Sequence, residues 1–123
     1  HRVDRRQRQM CIRDRLCTGK LYFELAEKQA KENRQDVAIV RLEQLYPLPQ
    51  KQLDAVYKKY NKATWFWIQE EPLNMGAASF LKMNLTNINF GVISRKASAA
   101  TATGYAKVHA QEQKEIIETA FSI

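Results

Sequence analysis

Val37-Ala38-Ile39-Val40-Arg41 is the stretch that decides the fold. It is a short, continuous β-branched run, the signature of a strand covered on both faces. On its N-terminal side, Thr18 and Gly19 open a helix predicted over about Leu21–Asn33, with Leu21, Tyr22, Leu25 and Ala26 on one face. On its C-terminal side, Pro47 and Pro49 punctuate a loop. Leu53, Val56, Tyr57 and Tyr60 then recur at i, i+3, i+4 and i+7, which predicts a second helix. Ala63–Gln69 (ATWFWIQ) is aromatic and β-branched, again a buried strand. Its alternating Trp65, Phe66 and Trp67 are expected to pack the sheet rather than stack on bases. Pro72 is expected to break this strand, and Asn74 is placed to cap a helix bearing Ala77, Phe80, Leu81 and Leu85. Phe90–Ser94 (FGVIS) reads as another strand, and a small-residue loop, Lys96–Gly104, leads into a last helix ending with Ile116, Ile117, Ala120 and Phe121. Strand and helix in strict alternation predict the α/β class, a three-layer α/β/α arrangement around a mainly parallel sheet.

The chain has 123 residues and a mass of 14.3 kDa, room for one domain. At 45% hydrophobic and 27% charged it can bury a core. No apolar run approaches the roughly 18 residues a membrane helix needs, so no membrane partner is expected. The two cysteines, Cys11 and Cys17, have no His or Cys cluster beside them. That spacing gives neither a disulfide framework nor a zinc site, and a reducing, cytoplasmic setting is expected.

The net charge of +7 is unevenly placed. Residues 1–15 hold six arginines against Asp4 and Asp14, a net of +4, which leaves +3 for residues 16–123. The folded part therefore carries no strong electrostatic argument for nucleic acid. Residues 1–15 are expected to be a basic, non-domain tail, disordered or not native, since they resemble translated sequencing adapter. Residues 16–123 form the expected domain. A strand should stand immediately before Cys17, yet Arg13, Asp14 and Arg15 are there, and burying them would be costly. The first strand is accordingly expected to be truncated.

In open α/β sheets ligands gather at the C-terminal ends of strands. Four segments qualify: Cys17–Lys20, Arg41–Pro49, Gln69–Gly76 and Arg95–Gly104. Gly19-Lys20 before a helix lacks the rest of a phosphate loop, because Leu21 follows Lys20 and no glycine stands five positions before Gly19. Glu70 and Glu71 are adjacent on an extended segment and point to opposite faces, so they cannot easily share one proton or one metal. Hydrogen bonding to helix amides or to a neighbouring domain's arginine is the expected role. Cys17 is expected to be a small buried residue, and His109 has no nucleophile beside it in sequence. No catalytic, cofactor-binding or metal-binding residue is expected within the chain.

At the same segments the sequence resembles a known family. The carriers are Cys17–Tyr22 (CTGKLY), Asp36–Pro49 (DVAIVRLEQLYPLP), Trp67–Gly76 (WIQEEPLNMG), Ile93–Ala99 (ISRKASA), and the ending from Gly104 through Val108-His109 to Gln111-Glu112-Gln113. Together these are similar to the C-terminal domain of the thiamine diphosphate-dependent, decarboxylating first component of 2-oxoglutarate dehydrogenase, over residues 16–123. The resemblance implies a transketolase C-terminal-like domain of a homodimeric parent enzyme that decarboxylates 2-oxoglutarate on thiamine diphosphate with magnesium. The succinyl group then passes to a lipoyl-bearing second component in the tricarboxylic acid cycle. It also implies that the cofactors are bound by upstream domains, outside this fragment, and that the isolated fragment is inactive. Gln69, Glu70, Glu71, Asn74, Gly76, Arg95, Ser98 and His109 are the implied interdomain or structural residues. Some relatives are regulated through this domain, and Arg41, Gln44 and Lys51 are the residues that would meet a nucleotide or acyl-CoA. Two alternatives stand beside this reading: the equivalent domain of a pyruvate or branched-chain dehydrogenase, and a small basic nucleic-acid-binding module.

Overall fold

The β-branched run around Ile39 lies inside a five-stranded sheet with helices on both faces. The computed structural model describes residues 3–5, 13–43, 48–59, 63–96 and 106–123. In chain order the elements are β1 (Val3–Arg5), β2 (Arg13–Cys17), α1 (Lys20–Glu32), β3 (Val37–Leu42), α2 (Gln50–Lys59), β4 (Thr64–Pro72), α3 (Ala78–Asn84), β5 (Gly91–Arg95) and α4 (Ala106–Ser122). The sheet order is β1-β3-β2-β4-β5. β2, β3, β4 and β5 run parallel, and β1 lies antiparallel on the outer edge of β3. Leu16 is paired with Val40 on one side and Trp67 on the other, which fixes the register at the centre.

Each of β2, β3, β4 and β5 feeds two cores, as period-two alternation requires. Leu16, Val40, Leu42, Trp65 and Trp67 meet Leu53 of α2 and Ala78 and Leu81 of α3 on one face. Cys17, Val37, Ile39, Ile68 and Ile93 meet Leu21, Tyr22 and Leu25 of α1 and Ile116, Ala120 and Phe121 of α4 on the other. The α/β/α layering read from the alternation is therefore the observed one. Both tryptophans are core, with Trp65 edge-on to Tyr57 at 5.2 Å between ring centres. The first helix ends where Asn33 adopts the left-handed conformation (φ 50°, ψ 47°), a position that favours Gly or Asn.

Three local expectations need correction. The strand thought to be cut ahead of Cys17 is present: Arg13–Cys17 is the central parallel strand, with Asp14 and Arg15 buried. Strand pairing uses backbone groups alone, and long arginine stems can pack as hydrocarbon. Arg13 reaches Asp36 at 2.7 Å, and the Arg15 guanidinium lies 5.0 Å from the Phe66 ring centre. Pro72 does not break β4 but closes it, because a residue without an N–H is tolerated at a strand end, here after an irregular register shift. Asn74 does not cap α3, whose N-cap position is Ala77. Tyr60 and the loop 97–105 lie outside the described residues.

Candidate functional site

The connection from β2 leads outward to β3, and the one from β3 leads back past β2 to β4. The C-terminal ends of β2 and β4 therefore flank the point where the winding reverses, the place where such sheets offer a crevice. Gly19 makes the exit from β2, at φ 65° and ψ −145°, a conformation open essentially only to glycine. Lys20, the first residue of α1, follows it into the crevice.

A polar hub fills that crevice. Lys20 Nζ lies 3.4 Å from Glu24 Oε1 and 3.8 Å from Glu70 Oε1. The Gln113 side-chain amide, from α4, donates at 2.9 Å to Glu24 Oε2 and at 2.9 Å to Glu70 Oε1. Its carbonyl oxygen accepts from Arg95 Nη2 at 2.9 Å. Arg95, 8% exposed at the end of β5, also donates through Nε to the Glu70 carbonyl and through Nη1 to Glu112, both at 2.7 Å. One glutamine and one arginine thus join α1, β4, β5 and α4, and each uses its donors on protein acceptors.

Gln69 organises the opposite face of β4. Its carbonyl oxygen accepts from Trp67 Nε1 at 2.8 Å and from the Ala78 backbone N–H at 3.0 Å. Its amide donates to the carbonyls of Pro72 at 2.9 Å and Met75 at 2.8 Å. The cap expected of Asn74 is supplied by Gln69, from a neighbouring strand. Gly76, at φ 69°, closes the turn against the Gln69 and Glu71 side chains; a Cβ there would sit 3.0 Å from Glu71 Oε1. As read from the sequence, Glu70 and Glu71 part company, one toward Gln113 and the other toward this turn.

Arg41 stands apart from the hub. Its guanidinium lies 4.9 Å from the Tyr22 ring centre and 5.3 Å from that of Phe23, with Nε 3.7 Å from Glu43. Phe23 is 58% exposed, so the stack forms an open corner beyond β3. Lys51 is exposed in the first turn of α2, while Gln44 and Ser98 lie outside the described residues. His109 is half-buried on α4, beside a groove of about 480 Å³ that also takes in Lys20, Lys114 and Ile117. The Cys17 thiol is buried, and desolvation pushes its pKa up to about 12, so it offers no thiolate at neutral pH. Among the described residues no three His, Cys, Asp or Glu side chains are grouped to hold a metal ion. Lys20, Glu24, Glu112 and Gln113 are the members that sequence reasoning did not assign together. Only the Lys20–Glu24 spacing of four gave a local signal.

The fold and hub define a doubly wound α/β domain whose sheet-end polar groups serve to hold its own elements in place. The chain belongs to the family described as 2-oxoglutarate dehydrogenase C-terminal, which matches residues 2–121. A multifunctional 2-oxoglutarate metabolism enzyme of Mycolicibacterium vanbaalenii is 49% identical over 113 residues, covering 86% of this chain. Enzymes of the same description from Mycobacterium sp. strains KMS and JLS are 45% identical over 114 residues, covering 87% of it. The chain spans about 9% of the length of these relatives, so it corresponds to part of a larger enzyme.

Proposed function

We propose that this chain is the terminal structural domain of a thiamine diphosphate-dependent 2-oxoglutarate dehydrogenase, and that it positions an active centre built by other parts of the polypeptide. The observation that carries this reading is the saturated hub. Glu24, Glu70, Arg95, Glu112 and Gln113 are spent on one another, which suits a part that holds geometry and not one that meets substrate. The parent's reaction is the decarboxylation of 2-oxoglutarate, with succinyl transfer to a lipoyl-bearing second component, in a cytoplasmic homodimer. On this reading the thiamine diphosphate and magnesium are bound by the upstream domains of the parent, as the family resemblance implies. Residues 16–123 are the domain proper, to which the arginine-rich opening lends strand backbone.

The stacked, half-exposed Arg41 supports a second role, the binding of a nucleotide or acyl-CoA phosphate with Gln44 and Lys51. The primary reading is tested by assaying the purified 123-residue chain and the complete parent with 2-oxoglutarate, thiamine diphosphate and magnesium. Turnover by the parent alone is expected. Turnover by the 123-residue chain would show that the catalytic groups lie within it.

A further inference from the structure

β5 ends the sheet on the side opposite β1. Its inner edge pairs with β4, and among the described residues no strand pairs with its outer edge. Exposed strand edges are normally guarded by lysine, proline, a bulge or an inward charge, because their free N–H and C=O groups recruit another strand. The strand Gly91-Val92-Ile93-Ser94-Arg95 has no lysine and no proline within it, and the exposed Lys96 stands just past its end, at the mouth of the groove alongside. Its one charge, Arg95, is drawn to the α4 side by Glu112 and Gln113. Beside this edge runs a groove of about 830 Å³ between β5 and α4, with Val92, Ile93, Ile116 and Ile123 as its apolar floor and a polar rim that includes Lys96, Glu115 and Thr119. Ile123 is 50% exposed there, and Val108, also lining the groove, is 45% exposed.

We infer that the outer edge of β5 and its groove receive an extended segment from the remainder of the parent polypeptide, added as a sixth strand. This inference rests on the reading of the chain as part of a larger enzyme. The relatives devote about nine-tenths of their length to sequence outside this chain, so the bulk of the polypeptide is available to cover it. Backbone pairing supplies the attachment, and the alternate side chains of the added strand on the α4 side meet Ile116, Thr119 and Ile123. An apolar residue at every second position is therefore the chemistry the groove selects.

The test uses the complete parent enzyme. Hydrogen exchange is measured on the β5 amides, and a diazirine-bearing amino acid replaces the exposed Glu115 for photo-crosslinking. All β5 amides are expected to exchange at least about tenfold more slowly than those of the turn at Thr86–Asn89, and the crosslink is expected to reach a segment N-terminal to this domain in the same polypeptide. Three results would overturn the inference. They are exchange of alternate β5 amides at the turn's rate, a crosslink to residues 97–105, and a crosslink to a second copy, recognised by mixing light and isotopically heavy subunits. Decarboxylation of 2-oxoglutarate is measured on the same unsubstituted preparation. An active parent with a bare edge refutes the added strand alone, whereas an inactive parent with a protected edge refutes the enzymatic reading and leaves the strand standing.

Discussion

Two arginines reach the same helix end under opposite physical conditions, and replacing each should move stability in opposite directions. α4 ends at Ser122, leaving its last carbonyls in need of donors. Arg15 Nε donates to the Ala120 carbonyl at 2.6 Å, and Arg34 Nη2 to the Phe121 carbonyl at 2.7 Å. Arg15 lies on the central strand with no exposed surface, and its Nη2 has no hydrogen-bond partner among the described residues. Burial, reinforced by the nearby charge of Arg13, lowers its pKa from 12.5 to about 10. A base whose pKa falls on folding is destabilising while charged, so the penalty is complete below pH 10 and disappears as pH rises toward 12.5. That difference corresponds to a penalty on the order of 3 kcal/mol at neutral pH. Arg15→Met keeps an unbranched apolar stem and removes the charge. It also removes a donor from the Ala120 and Thr64 carbonyls, a loss of about 1–2 kcal/mol.

The net expectation for Arg15→Met is a gain of about 1–2 kcal/mol, consistent with the behaviour of buried charges exchanged for packed apolar groups. With an m value of about 1.5 kcal/mol/M, the urea midpoint at pH 7 rises by roughly 1 M. Arg34→Met is the control. Arg34 is held by Asp36 through hydrogen bonds of 2.9 and 3.0 Å, and that pairing raises its pKa, so its charge favours the folded state. Its replacement should lower the midpoint. A fall in midpoint for Arg15→Met equal to that for Arg34→Met would refute the reasoning, because it would show that the cap outweighs desolvation at the sheet centre.

Arg95→Met should lose about 2–3 kcal/mol in urea denaturation, because the Glu70 carbonyl and the Gln113 side-chain oxygen lose their donor, while the partly exposed Glu112 adds little. A Cβ on Gly91 would lie 2.5 Å from the Phe66 ring, so Gly91→Ala should cost about 1–3 kcal/mol. Much of that loss should return in Gly91→Ala combined with Phe66→Leu, measured as a double-mutant cycle; simple additivity would place the strain elsewhere. Cys17 should resist a thiol reagent at pH 8 in a Cys11→Ser background and react on unfolding. Because burial raises its pKa, its contribution to stability is complete below about 9 and lost as pH rises from 9 toward 12, which a pH series of urea midpoints in the same background, compared with Cys17→Ala, reads directly.

What was legible in the sequence was whatever periodicity and side-chain type encode locally. Val37–Leu42 is buried almost throughout, so its apolar character is continuous and its strand could be read directly. The helices carrying Leu25, Leu53 and Ile116 present apolar faces to the sheet, and their spacing showed it. The polarity of Arg13–Arg15 conceals its strand, because the vacancy between β3 and β4 that it fills is created by the topology and not by local sequence. Three flanking elements supply a backbone ladder on each side and carbonyl acceptors at Thr64 and Ala120, and these override the propensity of the segment. β1, laid antiparallel on β3, gave no apolar pattern at all.

The hub was illegible for a different reason. Glu24, Glu70, Arg95 and Gln113 come from four elements, and although strand-end position and resemblance mark Glu70 and Arg95, nothing local links them to Glu24 and Gln113. Only the register that places β5 beside β4, and α4 over both, turns them into one network. The same holds for Gln69, whose capping of α3 requires a tight turn at Gly76 to bring the helix start back to the strand. Apolar burial selects which faces meet but is tolerant of small slips, whereas hydrogen bonds of 2.7–2.9 Å are not. The polar residues at the sheet end therefore set the registry that the cores leave loose.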